Sequence, residues 1–206
     1  MTKLVQIAGY LGSGKTTVII AIGKGLSETG LKVAIIVNDA GAIPVDGRVM
    51  QQYGLTVKDI GGGCICCQVA GNLLKTLDVL AGGLKPDFIF VEPTGMAVPH
   101  SIRENVSYGA AKANITIGPT IVLFDATRRE KLLTYDTLKR LIATQLSDAD
   151  IIALSKVDLV SEGDIERSRE AVRQINPKAR VVQLSTRTGE GIADLLRAIE
   201  EMTIPA

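Results

Sequence analysis

Tryptophan is absent from this 206-residue chain, and aromatic residues make up only 3% of it. The core therefore has to be built from Ile, Val, Leu and Ala, a composition that suits parallel strands covered by helices on both faces. An excess of either charge is missing too. The formal net charge of +1 supplies no global attraction to nucleic acid or to a membrane surface. No apolar run approaches the length of a bilayer span. Met1-Thr2-Lys3-Leu4-Val5 enters a strand at once, without the layout of a signal peptide. A cytoplasmic protein is expected, with neither nucleic acid nor membrane as a partner. The chain also lacks linkers, repeats and low-complexity tracts. It is 46% hydrophobic, enough for a substantial core, and residues 1–206 are expected to form a single domain.

Histidine occurs once, at His100, and cysteine only three times, at Cys64, Cys66 and Cys67. Three cysteines within four positions cannot build a disulfide framework. In a reducing compartment they point instead to metal binding or thiol chemistry.

Apolar runs alternate with amphipathic stretches. Strands are expected at Lys3–Ala8, Lys32–Val37, Thr56–Ile60, Asp87–Glu92, Thr120–Asp125, Ile151–Ser155 and Arg180–Leu184. Helical periodicity covers Lys15–Thr29, Val69–Ala81, Asp136–Ser147, Glu162–Ile175 and Ile192–Met202. This alternation predicts an α/β fold of three layers with a mostly parallel central sheet. Ligands of such sheets bind at the carboxyl ends of the strands. Asn38–Tyr53, rich in Gly and Asp, reads as a mobile loop, and Gly95–Gly118 as a second loose stretch that contains His100.

Gly9-Tyr10-Leu11-Gly12-Ser13-Gly14-Lys15-Thr16 fits the phosphate-loop pattern G-x-x-x-x-G-K-[ST], and it lies between an apolar strand and a helix, as that motif requires. Glycines such as Gly12 and Gly14, with Ser13 between them, let backbone N–H groups turn toward phosphate oxygens at a helix N-terminus. Lys15 is expected to reach the terminal phosphates, Thr16 to coordinate Mg²⁺ and Thr17 to contact the α-phosphate. The strand Phe88–Glu92 ends in a carboxylate and is followed by Pro93-Thr94-Gly95. Glu92 is placed to hold Mg²⁺ directly or through water, and Gly95 lets backbone approach the γ-phosphate. Asp39 and Asp46 lie in the loop after the second strand. Asp46 is the candidate for Mg²⁺ or for orienting the attacking water, against the alternative of a surface Asp in a Gly-rich turn. Asp125, at the end of another strand, reads as a helix cap or loop anchor.

Ser155-Lys156-Val157-Asp158 follows the strand Ile151–Ser155. Guanine offers an N1–H and a 2-amino group side by side, and the single carboxylate of Asp158 can accept both. The stem of Lys156 can lie across the base. Ser155 stands where Asn or Thr is usual, so a contact to the base or loop is expected to weaken. Ser185-Thr186-Arg187 ends the last strand and resembles the Ser-Ala-x element whose backbone contacts the guanine oxygen.

Thiolates favour Zn²⁺, Cu(I) or other borderline-to-soft ions over Mg²⁺. Closed structural zinc sites have four protein ligands. Cys64, Cys66 and Cys67 therefore describe an open or shared site, whose fourth position falls to water, to His100 or to a second subunit. Buried thiols and a redox pair are the alternatives, although adjacent Cys66 and Cys67 could form only a strained disulfide.

With these motifs in place, the chain resembles the CobW/HypB/UreG family of metal-handling GTPases, and the CobW-like branch most closely. The matching segments are Gly9–Thr16, Gly63–Cys67, Glu92–Gly95 and Ser155–Asp158. Val37-Asn38-Asp39 through Asp46 looks like the family's first switch, and Gln145 with Ala149-Asp150 fits its pattern. The resemblance implies a P-loop GTPase, slow in turnover, in which GTP and Mg²⁺ arrange the cysteine site and hydrolysis is linked to metal delivery. Lys15, Asp46 and Glu92 would be its catalytic residues, and Thr16, Asp46 and Glu92 its Mg²⁺ ligands. The cargo implied is zinc or cobalt. Nickel does not carry over automatically, because UreG-like and HypB proteins use other metal motifs. The partners implied are GTP and GDP, a metal-receiving client protein and a second copy in a homodimer. The 206 residues are expected to hold the GTPase domain alone, without a C-terminal domain of the CobW type. Two other readings compete: a regulatory GTPase switch whose structural or sensing zinc site helps recruit a client, and a small-molecule kinase, which leaves Cys64–Cys67 and Asp158 without a role.

Overall fold

A computed structural model describes residues 1–37, 55–59, 68–110 and 115–202. The strands are β1 (Thr2–Gly9), β2 (Val33–Val37), β3 (Leu55–Asp59), β4 (Phe88–Glu92), β5 (Ile115–Asp125), β6 (Ile151–Ser155) and β7 (Arg180–Leu184). The helices are α1 (Lys15–Glu28), α2 (Gln68–Gly82), α3 (Pro99–Ala110), α4 (Arg129–Thr134), α5 (Asp136–Ser147), α6 (Glu162–Ile175) and α7 (Ile192–Met202). All strand pairs are parallel, in the order β3-β2-β4-β1-β5-β6-β7. After β1 the chain builds one half of the sheet, returns through β4 beside β1, and crosses to β5 on the other side. That reversal opens a crevice at the carboxyl end of β1.

Because side chains alternate across a strand, each apolar run feeds two cores. Val5 and Ile7 of β1, with Ile121 and Leu123 of β5, pack under Val18, Ile19 and Ile22 of α1 and Leu195 and Ile199 of α7. On the opposite face Ile36, Ile89 and Val91 meet Leu73, Leu77 and Leu80 of α2. Val122, Phe124, Ile152 and Leu154 meet Ile142 and Leu146 of α5 and Val172 of α6. This is the three-layer α/β arrangement expected, with aliphatic strands covered on both faces. Truncating one such side chain, for example Ile22→Ala, should cost about 2–5 kcal/mol.

Two expectations need correcting. The stretch Gly95–Gly118 is not loose throughout, because α3 occupies Pro99–Ala110. Among the described side chains its core contacts come from Ile102 and Val106, one turn apart. Strand β5 starts at Ile115 instead of Thr120. The register with β1 runs Leu4↔Ile117 and then Gln6↔Thr120, so a bulge absorbs Gly118-Pro119. Of β5, only Ile121–Asp125 pair with β6, and proline is tolerated where the ladder is one-sided.

Candidate nucleotide site

The site is built on the carboxyl edge of the sheet, at the ends of β1, β4, β5, β6 and β7. Gly9 and Gly14 have φ of 133° and 94°, which other residues resist. A side chain on Gly9 would also come within 2.6 Å of the Leu123 carbonyl. Gly14 starts α1 with no side-chain cap, which leaves the helix N-terminus available to an anion. Lys15 is 7% exposed. Burial lowers its pKa, and the nearby charge of Glu92 opposes that shift. The Thr16 hydroxyl donates to Glu92 Oε1 at 2.9 Å. Thr17 is exposed beside it.

A second set of bonds grips this loop from behind. Asp125 is fully buried. Its Oδ1 accepts from the Thr127 N–H at 3.0 Å and the Thr127 hydroxyl at 2.6 Å, capping a short 3₁₀ turn, Ala126–Arg128. Its Oδ2 accepts from Arg128 Nε at 2.9 Å and Lys156 Nζ at 2.7 Å. Both cations continue to the phosphate loop: Arg128 Nη2 donates to the Leu11 carbonyl at 2.7 Å and Lys156 Nζ to the Gly12 carbonyl at 2.8 Å. The Leu11 and Gly12 carbonyls are thereby committed to these two cations, while the Ser13 N–H closes a turn onto the Tyr10 carbonyl at 3.1 Å. Burial alone would raise the Asp125 pKa, but the hydrogen bonds from Lys156 and Thr127 and the charges of Lys156 and Arg128 prevail and lower it. Arg128 also lies over the Tyr10 ring. The motif reading found Asp125 as an anchor and missed Arg128, which no spacing rule marks.

Ser155 is buried, and its hydroxyl donates to the Ser13 carbonyl at 2.9 Å. The short side chain therefore still ties the Ser155–Asp158 turn to the phosphate loop. Lys156 adopts a left-handed conformation, φ 62°, which is uncommon for a residue with a side chain. The Asp158 carboxylate accepts a hydrogen bond from the Ser185 hydroxyl and one from Arg187 Nε at 2.6 Å. Those bonds, Ser185 first, hold its pKa below the usual value. Ser185 is buried and Thr186 exposed. The edge thus brings Gly12, Ser13, Gly14, Lys15, Thr16, Thr17, Glu92, Ser155, Lys156, Asp158, Ser185 and Thr186 to neighbouring strand ends.

Asp39, Asp46, Cys64, Cys66 and Cys67 lie outside the described residues. The described chain stops at Asp59, at the end of β3, and resumes at Gln68 of α2. Asp59 pairs with Val37, which pairs with Glu92, so the chain leaves β3 about 10 Å from Glu92 on the same edge. Among the described residues there is no cluster of three His, Cys, Asp or Glu able to hold a metal. His100 sits in the first turn of α3, largely exposed, with Nε2 3.3 Å from Glu104 Oε1. No helix among the described residues is long and apolar enough to cross a membrane.

The family model described as CobW/HypB/UreG, nucleotide-binding domain, matches residues 3–183. The chain belongs to the CobW/HypB/UreG family. Among relatives in this family, the zinc chaperone YeiR of Escherichia coli K12 is 32% identical over 160 residues, covering 77% of this chain and 47% of that protein. The zinc chaperone YjiA, from the same organism, is 32% identical over 182 residues, covering 85% of this chain and 55% of that protein. The solved structure of the Zn(II)-bound YjiA GTPase superposes with a TM-score of 0.64 at 28% identity, over 87% of this chain and 56% of that one. The hydrogenase maturation factor HypB of Archaeoglobus fulgidus superposes with a TM-score of 0.73 over 98% of this chain and 91% of that one. At 20% identity it speaks for the fold. The chain spans about half the length of the curated relatives it matches.

Proposed function

We propose that this chain is a GTP-hydrolysing metal chaperone that binds a transition metal through Cys64, Cys66 and Cys67 and hands it to a client protein. The observation that carries this reading is the shared edge. The phosphate loop, the Thr16–Glu92 pair and the Asp158 carboxylate all lie there, and the chain enters the cysteine segment from Asp59 at the end of β3 on the same side. The zinc chaperones YeiR and YjiA support zinc as the cargo. Cobalt and nickel are the competing ions.

Lys15 and the loop amides would stabilise charge that develops on the transferring phosphoryl group, with water as the nucleophile. Thr16 Oγ1 and Glu92 Oε1, 2.9 Å apart, are hard oxygen donors of the kind Mg²⁺ takes together with phosphates and water. They would hold that ion, with Asp46 as a further ligand, and bound there it would neutralise phosphate charge. Turnover is slow on this reading. Asp158 selects guanine, and Arg187 must yield or share that carboxylate when the base arrives. We also infer a cytoplasmic setting and a homodimer, with water, His100 or the second subunit completing the cysteine site.

The test is anaerobic titration of Zn²⁺ and Co²⁺ into protein carrying a GTP analogue with Mg²⁺, GDP, or no nucleotide. Metal affinity should depend on the nucleotide and should fall in Cys66→Ala, with nucleotide binding retained. Equal affinities in all three states would sink the chaperone cycle. Metal retained through hydrolysis in the presence of an apo-client would favour a switch with a structural zinc site.

A further inference from the structure

Gln145 of α5 is 1% exposed and lies about fifty positions along the chain from the segment after Glu92 that it contacts. Its side-chain NH₂ donates to the Gly95 carbonyl at 3.1 Å and to the Ala97 carbonyl at 2.9 Å. The opposite amide orientation would set Oε1 against two carbonyl oxygens, so the donors are fixed by their surroundings. Oε1 itself is buried and meets no hydrogen-bond donor among the described residues. A buried amide with one unpaired end is costly, so something about the two bonds it does make has to matter.

Those bonds hold the segment that joins Glu92 to α3. The segment closes a turn of its own, with the Ala97 N–H on the Thr94 carbonyl at 3.0 Å. It is also pressed against the phosphate loop, since a Cβ on Gly95 would sit 2.7 Å from the Leu11 nitrogen. The same end of α5 holds the start of α3, through Asp148 Oδ2 accepting from the His100 N–H at 3.0 Å. The segment is therefore docked on the loop before any ligand arrives, and α5 supplies the clamp.

We propose that Gln145 is a positioning residue, which fixes Pro93–Ala97 against the phosphate loop and so sets the preference for a nucleoside triphosphate over a diphosphate. This rests on the reading of the loop as a GTP site. A diphosphate needs the loop and the base contacts. Only the terminal phosphate reaches for Gly95, and only it gains from having that backbone already in place.

The test compares GDP with a non-hydrolysable GTP analogue, both fluorescent, on wild-type protein and on Gln145→Met, which keeps volume and removes the donors. The GDP affinity should stay within about twofold, and the analogue should bind about tenfold more weakly, a change of about 1.4 kcal/mol. An unchanged ratio in folded Gln145→Met overturns the proposal, and so does a rise in the ratio, because that would mean Gln145 holds the segment away from the ligand. Should the variant not fold, the side-chain amide resonances of Gln145 in ¹⁵N-glutamine-labelled wild-type protein give a second readout. They should shift with the triphosphate and not with GDP, and identical spectra overturn the proposal. A wild type that binds neither nucleotide overturns the GTP reading along with this one. A selective wild type beside an equally selective variant overturns only the role of Gln145.

Discussion

Asp125→Asn should be the most informative single change behind the phosphate loop. The carboxylate has no exposed surface and accepts four hydrogen bonds. Asparagine can still accept from Thr127 through Oδ1. It would then turn an NH₂ toward Arg128 Nε and Lys156 Nζ, placing a donor against two donors. Removing one partner of a buried pair costs roughly 3–5 kcal/mol when the orphaned charge stays dry. Here the cations are 30% and 37% exposed, so water recovers part of that, and about 2–3 kcal/mol is expected. For a chain of this size the melting temperature should drop by roughly 4–12 °C. Lys156 and Arg128 would lose the anion that aims them at the Gly12 and Leu11 carbonyls, so GDP affinity should fall by about tenfold, or about 1.4 kcal/mol. The pH dependence follows from the lowered native pKa. The stabilisation is complete above the unfolded carboxylate value and is lost as pH falls through the native one. The gap between wild type and variant should therefore close below about pH 4. Thermal melts across pH and fluorescent GDP titration check both effects. A variant that melts within a degree of wild type at pH 7 and binds GDP equally well would refute the reasoning.

Other consequences can be checked in the same assays. Lys15→Met should abolish nucleotide binding yet stabilise the empty protein by about 1 kcal/mol, the scale of removing a partly compensated buried charge. Because the native Lys15 pKa is lowered, wild-type stability rises as pH climbs through that value, so the advantage of the methionine variant should shrink in alkaline melts. Asp158→Asn should weaken GTP binding and shift preference toward xanthine nucleotides, read by competition against fluorescent GDP; unchanged base selectivity would count against Asp158 as the reader. Gly95→Ala would bring a Cβ to 2.7 Å from the Leu11 nitrogen. It should cost about 1–3 kcal/mol in chemical denaturation and weaken the GTP analogue more than GDP.

Elements and motifs were legible to different degrees, for physical reasons. The strands β6 and β7 and the helices α5, α6 and α7 have the boundaries the periodicity predicts, because each carries a complete apolar face between clear stop signals. The phosphate loop is legible because its chemistry needs local geometry, and glycine spacing encodes that directly. Helix α3 is hidden by a thin apolar face, and the first turns of β5 by a Gly-Pro pair that reads as a break but forms a bulge. Ser155 illustrates a subtler limit. From sequence it reads as the loss of an amide, whereas its hydroxyl is close enough to reach the Ser13 carbonyl. Gln145, which the family pattern marks, and Arg128, which it does not, act on backbone carbonyls 50 and 117 positions away, and no local pattern says which carbonyls they meet.

The site is arranged so that ligand binding would relieve part of what folding leaves unfavourable. Lys15 is buried with burial depressing its pKa, and Thr16 spends its hydroxyl on Glu92. Glycines hold the loop in backbone conformations that other residues resist. The buried charge of Lys15 and the ordering of the glycines lower the stability of the protein without ligand; phosphate would compensate that charge, and a cation would share the Thr16 and Glu92 oxygens. The bonds behind the loop behave in the opposite way. Asp125, Lys156, Arg128 and Ser155 are already satisfied before any ligand is present. Their work is to hold the Leu11, Gly12 and Ser13 carbonyls in place. Affinity should then be concentrated in the residues facing the ligand and stability in those behind it. Substitutions at Lys15 and Asp125 should accordingly move melting temperature in opposite directions while both weaken nucleotide binding. If both lower the melting temperature, this division of labour between the two faces of the loop is wrong.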